Sequence, residues 1–168
     1  MKKNNPGQAV SAALQVPDPN QFVLAASGLD LAHPGVPFHE RPEPLAIVGG
    51  LCALARAVSS GGIRQFIDQQ EGVSFHEIES YCRMIGATRA SEYLLDAAAL
   101  FPDGRVPRDD MERFDIAVAY EPTSPLDPPD PFLALDKKYA DAMPDMVAKL
   151  REHVTRNADA LARALAGN

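Results

Sequence analysis

The feature that most constrains the fold is a nearly continuous apolar stretch from Leu45 to Val58. Its apolar residues recur at helical spacing and cover almost the whole circumference of a helix. Such a helix is stable only when other elements bury it on most sides, so the stretch predicts a central core helix. A chain of 168 residues is long enough to build one domain around that helix.

Further helix signals follow along the chain, and no segment shows the period-two alternation of a surface strand. Serines and glycines at 59–62 predict a break, with a second short helix after it. Ser74 and Glu77 match a capping box at the start of a helix, and Gly86 suits its end. Thr88 is expected to cap the next helix. The predicted fold is therefore all-α, a compact multi-helix domain.

Three more helices are predicted in the C-terminal half. One begins after Asp109, which stands three residues before Glu112 in the spacing of an N-cap and its partner. Its buried face is expected to consist of three apolar residues at helical spacing: Met111, Phe114 and Val118. Another helix begins at the N-cap and proline pair Asp130–Pro131, and the last runs from about Pro144 to Leu165.

Prolines divide the chain into an arm and a helical domain. Seven of the fifteen prolines lie in residues 1–44, which predicts an arm that is extended or partly disordered. Each proline lacks an N–H donor and disfavours helix at the preceding residue. Residues 45–165 are expected to form the helical domain. Within it, residues 120–131 combine five prolines with three acidic residues, which predicts an exposed acidic loop.

Charge and cysteine content restrict the class of protein. With 16 Lys and Arg against 23 Asp and Glu, the net charge is −7 at pH 7, and a negative surface repels phosphate. Two cysteines are too few for a disulfide scaffold. The longest uninterrupted apolar run, Leu45 to Ala55, is shorter than the roughly 18 residues that a membrane helix needs. We therefore expect a cytoplasmic protein that contacts neither nucleic acid nor a membrane.

The residues that most often bind metals do not form a recognisable site. Cys52 and Cys82 are thirty residues apart and lie on predicted inward faces, where they act as small apolar residues. His76 lacks the second histidine four residues on that a zincin helix requires. His33 and His39 stand in the arm with no cysteine nearby. Since nucleophile motifs are missing as well, we predict no catalytic residue, no metal and no cofactor.

Four blocks of sequence follow one another in a characteristic order between residues 45 and 157. They are Ser60–Phe66, Met84–Ala87, Leu100–Gly104 with Pro107 and Arg113, and Leu135–Tyr139. Together they resemble the bacterial DNA-mimic-protein family, specifically its C-terminal helical domain. The resemblance implies a compact helical domain, usually without known catalytic or metal residues. In the member that gives the family its name, it also implies a homodimer whose carboxylates imitate DNA phosphates and occupy a transcription factor.

The predicted function is non-enzymatic binding of another protein, with partial DNA mimicry toward a DNA-binding or regulatory protein as its specific form. The binding surface is predicted to consist of seven acidic residues: Glu77, Glu79, Glu92, Asp96, Asp109, Asp110 and Glu112. Two alternatives stay open. One is a small-molecule-binding or enzymatic domain of unknown substrate. The other is a scaffold that forms a homodimer through the Leu45–Val58 helix.

Overall fold

A computed structural model describes residues 5–30, 36, 40–69 and 75–167, and these residues form eight helices and no strand. In chain order the helices are α1 (Pro6–Leu14), α2 (Pro19–Asp30), α3 (Glu43–Asp68), α4 (Phe75–Ile85), α5 (Thr88–Ala98), α6 (Asp110–Val118), α7 (Pro131–Arg156) and α8 (Ala158–Ala166). A short 3-10 turn at Pro102–Gly104 lies between α5 and α6. The all-α prediction is confirmed.

Helix α3 is the central element, because α2, α4, α6, α7 and α8 all pack against it. Most residues from Leu45 to Val58 are buried, as the sequence predicted. By length and composition α3 could also cross a membrane, but 61% of its most apolar window is buried inside the protein. Its apolar residues are therefore accounted for by the protein core.

The predicted break in α3 is present as a kink at two glycines. Gly61 and Gly62 depart from helical geometry, and Gly62 has a φ of 76°. At this point Asp136 of α7 accepts a hydrogen bond from the amide of Ile63 at 2.8 Å. The carboxylate therefore caps the second half of α3, in the way that an N-cap residue would.

The N-terminal arm is helical over most of its described length, so the prediction of an extended arm is wrong for α1 and α2. Pro6 and Pro19 each occupy the first position of a helix, where the missing N–H costs nothing. Asn5 accepts from the amide of Gly7, and Asp18 accepts from the amide of Gln21. Helix α2 packs on α3, and α1 packs on α2 and α8.

The boundary between α4 and α5 differs from the prediction by one residue. Ser74 lies outside the described residues, but α4 begins at the next residue and ends before Gly86, as expected. Thr88 does not cap α5, because it is already the first helical residue and Ala87 occupies the cap position. The amide of Ala87 closes α4 by donating to the carbonyl of Cys82, and its methyl side chain cannot accept a hydrogen bond, so α5 begins without a side-chain cap.

Helix α7 starts at the predicted cap but continues through Pro144. Asp130 accepts from the amide of Phe132 at 2.8 Å, so the predicted N-cap is confirmed. The predicted helix start at Pro144 is wrong, because α7 keeps one buried face on both sides of the proline, including Ala142 and Met146. Packing of that face outweighs the one backbone hydrogen bond that the proline cannot make.

Candidate functional site

One short segment carries almost the whole net charge of the chain. The segment from Asp109 to Asp130, called the acidic segment below, contains α6 and the loop after it. Its acidic residues are Asp109, Asp110, Glu112, Asp115, Glu121, Asp127 and Asp130. With Arg113 as its only base, the segment contributes −6 of the net −7. The negative potential of the molecule is therefore concentrated at α6 and its loop.

Arg113 attaches α6 to the core. Its side chain is buried, with only 2% of the residue exposed. Nε donates to the carbonyl of Ile67 at 3.0 Å, and Nη1 donates to the carbonyls of Pro107 at 3.0 Å and Arg108 at 2.7 Å. Nη2 forms an ion pair with the exposed Asp110. The planar guanidinium thus binds a carbonyl that the end of α3 leaves unpaired and fixes the turn before α6.

Arg64, just after the kink of α3, holds the other end of α6. Its Nη2 donates to the carbonyl of Ala117 at 2.6 Å and lies 3.1 Å from Glu121. Its Nη1 lies 3.3 Å from Asp130, the N-cap of α7, and its guanidinium lies 5.8 Å from the ring centre of Phe132. A cation at this position also suits the negative end of the α6 dipole.

The loop after α6 is ordered by its own hydrogen bonds. Asp127 accepts from the amides of Thr123 and Ser124, both at 2.8 Å, and from the Thr123 hydroxyl at 3.0 Å. These bonds to Thr123 and Ser124 lower the pKa of the Asp127 carboxyl below its usual value. The hydroxyl of Tyr120 donates to the carbonyl of Leu100 at 2.7 Å. The predicted acidic loop is therefore exposed but held in place.

Four carboxylates of the acidic segment face solvent and form no ion pair among the described residues. They are Asp109, Glu112, Asp115 and Asp127. Asp109 also accepts from the amide of Glu112 at 2.9 Å, which confirms the predicted N-cap. These four groups are the ones that a basic partner would meet unneutralised.

The apolar stripe of α6 faces solvent, so the prediction that it is buried is wrong. Met111 is 66% exposed, Phe114 52% and Val118 38%. The buried residues of α6 are instead Arg113 and Ala117. Arg113 binds the carbonyl of Ile67 in α3, and the small Ala117 lets α6 approach α3 closely. These two contacts fix the rotation of α6 and turn its apolar stripe outward.

A family model described as DMP19-like protein matches residues 40–157, which is most of the chain. The chain belongs to the DMP19-like protein family. Comparisons with curated proteins and with solved structures found no match. The family, one of DNA-mimic proteins, is compatible with a protein-binding role. The matched range of this DMP19-like protein contains the complete acidic segment.

Three of the four blocks that carry the family resemblance meet at the acidic segment of this DMP19-like protein. The first block supplies Arg64, which binds the end of α6. The third supplies the carbonyl of Leu100 and the buried Arg113. The fourth supplies Asp136, which caps the helix turn that carries Arg64. The residues that resemble the family therefore build the support of the segment more than its charged face.

Two of the predicted acidic residues lie elsewhere, on the α5 side of the DMP19-like fold. Glu92 and Asp96 line a groove of about 400 Å³ together with Arg89, Lys138 and Asp141. The ammonium of Lys138 lies 2.8 Å from the Asp96 carboxylate. Because bases and acids alternate in this groove, it offers a basic partner much less negative charge than the acidic segment does.

Glu79 is not part of an exposed surface, which corrects the prediction for that residue. It is only 7% exposed; its carboxylate accepts from the Ser91 hydroxyl at 2.6 Å and pairs with Arg83 at 2.8 Å. Glu77 is partly buried on the same helix, α4.

Of the seven predicted acidic residues, the structure thus groups Asp109, Asp110 and Glu112 at the start of α6. Sequence reasoning left out Asp115, although its position on the predicted helix could have indicated exposure.

The two cysteines of this DMP19-like protein are buried in the core, as predicted. Burial raises the pKa of Cys52 and of Cys82 to about 12, so both thiols stay protonated and unreactive near neutral pH. Among the described residues, no three His, Cys, Asp or Glu side chains are grouped so that they could hold a metal ion. His33 and His39 lie outside the described residues.

Proposed function

We propose that this DMP19-like protein binds a DNA-binding or regulatory protein by presenting the acidic segment to the basic surface of that partner. The observation that supports this proposal is the concentration of −6 of the net −7 charge in 22 consecutive residues, with their only base turned inward. A surface that binds DNA phosphates is attracted to carboxylates by the same electrostatics.

The proposed mimicry is partial. Duplex DNA carries one charge per roughly 1.7 Å of its axis, so ten base pairs present about twenty charges. The acidic segment has seven carboxylates, and Arg64 and Arg113 pair with three of them. The segment therefore matches only a small part of a DNA site. We expect its charge to raise the association rate more than the affinity.

The support of the segment favours the same function. Arg64 fixes the end of α6, and Arg113 fixes its start. A surface that is already ordered does not lose that conformational entropy when a partner binds. A fixed helix also keeps the spacing of the carboxylates that it carries, which a surface that binds regularly spaced phosphates would recognise.

The proposal is tested with two variants of equal net charge. The first reduces the charge of the segment from −6 to −3 through Asp109→Asn, Glu112→Gln and Asp115→Asn. The matched control neutralises three exposed acids elsewhere through Asp103→Asn, Asp141→Asn and Asp159→Asn. Asparagine keeps the N-cap at position 109, and it also tolerates the positive φ at position 103.

The measurement is capture of proteins from a lysate of the source organism on each immobilised variant. We expect wild type and control to retain a DNA-binding protein that rising salt and duplex DNA both release, and the segment variant to lose it. Equal retention by the segment variant would contradict the proposal. Direct binding of duplex DNA by the purified wild-type protein would contradict it as well.

A further inference from the structure

The exposed apolar side chains of the molecule concentrate in the same place as its charge. Eight large apolar side chains are exposed among the described residues: Leu24, Met84, Leu95, Met111, Phe114, Val118, Leu126 and Leu133. Four of them belong to the acidic segment, including Leu126, which is 95% exposed. Single exposed apolar residues are ordinary, but a contiguous group bounded by charged residues is typical of an interaction surface.

Helix geometry places three of these residues in one stripe. Met111, Phe114 and Val118 are three and four residues apart, so their directions fall within an arc of about 60° and extend along about 10 Å of α6. Asp110 borders the stripe on one side, and Asp115 borders it on the other. Since Asp110 pairs with Arg113 one turn further along the same helix, Asp115 and Glu112 are the unneutralised part of this border.

We propose that this stripe binds a basic amphipathic helix of the partner, with apolar residues of that helix against α6 and its lysines or arginines against the bordering carboxylates. The inference rests on the proposed function and names the partner's contact element. A patch of negative charge alone could bind any phosphate-binding surface. The apolar stripe adds a requirement for a ridge of apolar side chains between the cations, and helices pack on helices through such ridges.

Charge complementarity selects this occupant over a second copy of the chain. A symmetric contact between two α6 helices would bring two segments of −6 charge face to face. Like charges at a contact oppose association, whereas a basic helix would be attracted by the same border. Because Asp110 is already paired with Arg113, the partner's cations are expected to meet the side of the stripe that Glu112 and Asp115 border.

The test uses two synthetic peptides and the complete protein. One peptide forms a helix with three leucines at positions i, i+3 and i+7 between lysines. The other has the same composition in an order that removes the leucine stripe. Binding to fluorescently labelled peptides is measured by anisotropy at low and high salt. The double variant Met111→Ser with Phe114→Ser removes the two most exposed residues of the stripe without changing charge, and its fold should persist because both residues are exposed.

We expect wild-type protein to bind the striped peptide about tenfold more tightly than the scrambled one. The serine variant should bind both peptides equally and weakly, and high salt should reduce the scrambled peptide's binding more strongly. Equal affinity of wild type for both peptides, or no binding at all, would overturn the inference. A wild-type dimer that the serine variant abolishes would also overturn it, because a second copy would then cover the stripe.

Failure of this inference is distinguishable from failure of the proposed function. If the segment variant Asp109→Asn, Glu112→Gln, Asp115→Asn loses binding to both peptides while the serine variant behaves as wild type, the surface is electrostatic only. The proposed function then stands and the apolar contact is refuted. If the segment variant binds both peptides as wild type does, the acidic segment has no binding role and both proposals fail.

Discussion

Of the described glycines with a positive φ, Gly62 is the one whose Cβ position is blocked. Its φ of 76° is strained for any other residue, and a Cβ there would collide with the Asp136 carboxylate that caps Ile63. We expect Gly62→Ala to lower the free energy of unfolding by about 2 kcal/mol, through backbone strain and loss of the cap. Urea denaturation with the linear extrapolation measures this change.

The matched control for Gly62→Ala is Gly86→Ala. Gly86 has a similar φ of 79°, but nothing lies within 4 Å of the position that its Cβ would take. Gly86→Ala should lower the free energy of unfolding by about 1 kcal/mol, through backbone strain alone. If Gly62→Ala is no more destabilising than Gly86→Ala, the capping role of Asp136 is wrong.

His153 makes stability depend on pH near neutrality. Burial lowers the pKa of its imidazole from the ordinary value of 6.5, while a contact of 3.4 Å with the carbonyl of Pro44 opposes that change. Because the unfolded chain then binds the proton more readily than the folded one, the free energy of unfolding is highest above about pH 6.5 and falls below it. Urea titrations between about pH 5.5 and 7.5 should show this decrease. His153→Gln should remove it, and an unchanged pH dependence in that variant would assign the effect to other groups.

At the scale of elements, the positions of helices were largely predictable and their orientations were not. The helix that begins after Asp109 was expected from its cap, and it is present. Its buried face was predicted wrongly, because that face is determined by the hydrogen bond from Arg113 to the carbonyl of Ile67, a residue 46 positions earlier in the chain. Periodicity shows that a helix has an apolar stripe, but only tertiary contacts determine what covers it.

The two helices of the arm were missed although the signal was in the sequence. Asn5 followed by Pro6 and Asp18 followed by Pro19 repeat the N-cap and proline pattern that correctly placed the start of α7. Counting prolines as breakers treats every position alike, whereas a proline at the first helical residue favours the helix. The acidic segment was predictable in part because its charges are local in sequence. Arg64 and the Ile67 carbonyl that Arg113 binds, which hold it in place, are far away in the chain.

Pro144 is the opposite case, a proline inside a helix. It deprives α7 of one backbone hydrogen bond, and the helix persists because its buried face continues on both sides. We expect Pro144→Ala to raise the free energy of unfolding by about 1 kcal/mol, since the restored bond exceeds the entropy that proline removes from the unfolded chain. Pro131→Ala, at the first position of the same helix, should give no gain in the same urea experiment. A loss of stability in Pro144→Ala would mean that the proline ring itself packs favourably against the neighbouring Pro17 and Pro19.

At the scale of the whole molecule, the acidic segment is strongly charged, whereas the rest of the chain is nearly neutral. Helices α2, α4 and α7 surround α3, whereas α6 has its main contact with α3 alone. Few apolar side chains of α6 are buried, so its attachment depends on the hydrogen bonds of Arg64 and Arg113. An element held mainly by polar contacts opens more easily than the core does. A substitution can therefore disorder the acidic segment without changing its charge.

Arg113→Lys makes that separation measurable, because lysine keeps the net charge but cannot reach three carbonyls with one fork of donors. We expect amide hydrogen exchange to become faster in α6 and the following loop while α3 and α7 keep their protection. The affinity for the striped lysine peptide should fall although every carboxylate is retained, since the surface must then be ordered upon binding. Arg105→Lys, an exposed control in the preceding turn, should change neither measurement. Unchanged affinity with faster exchange in Arg113→Lys would show that charge alone, without order, is sufficient for binding.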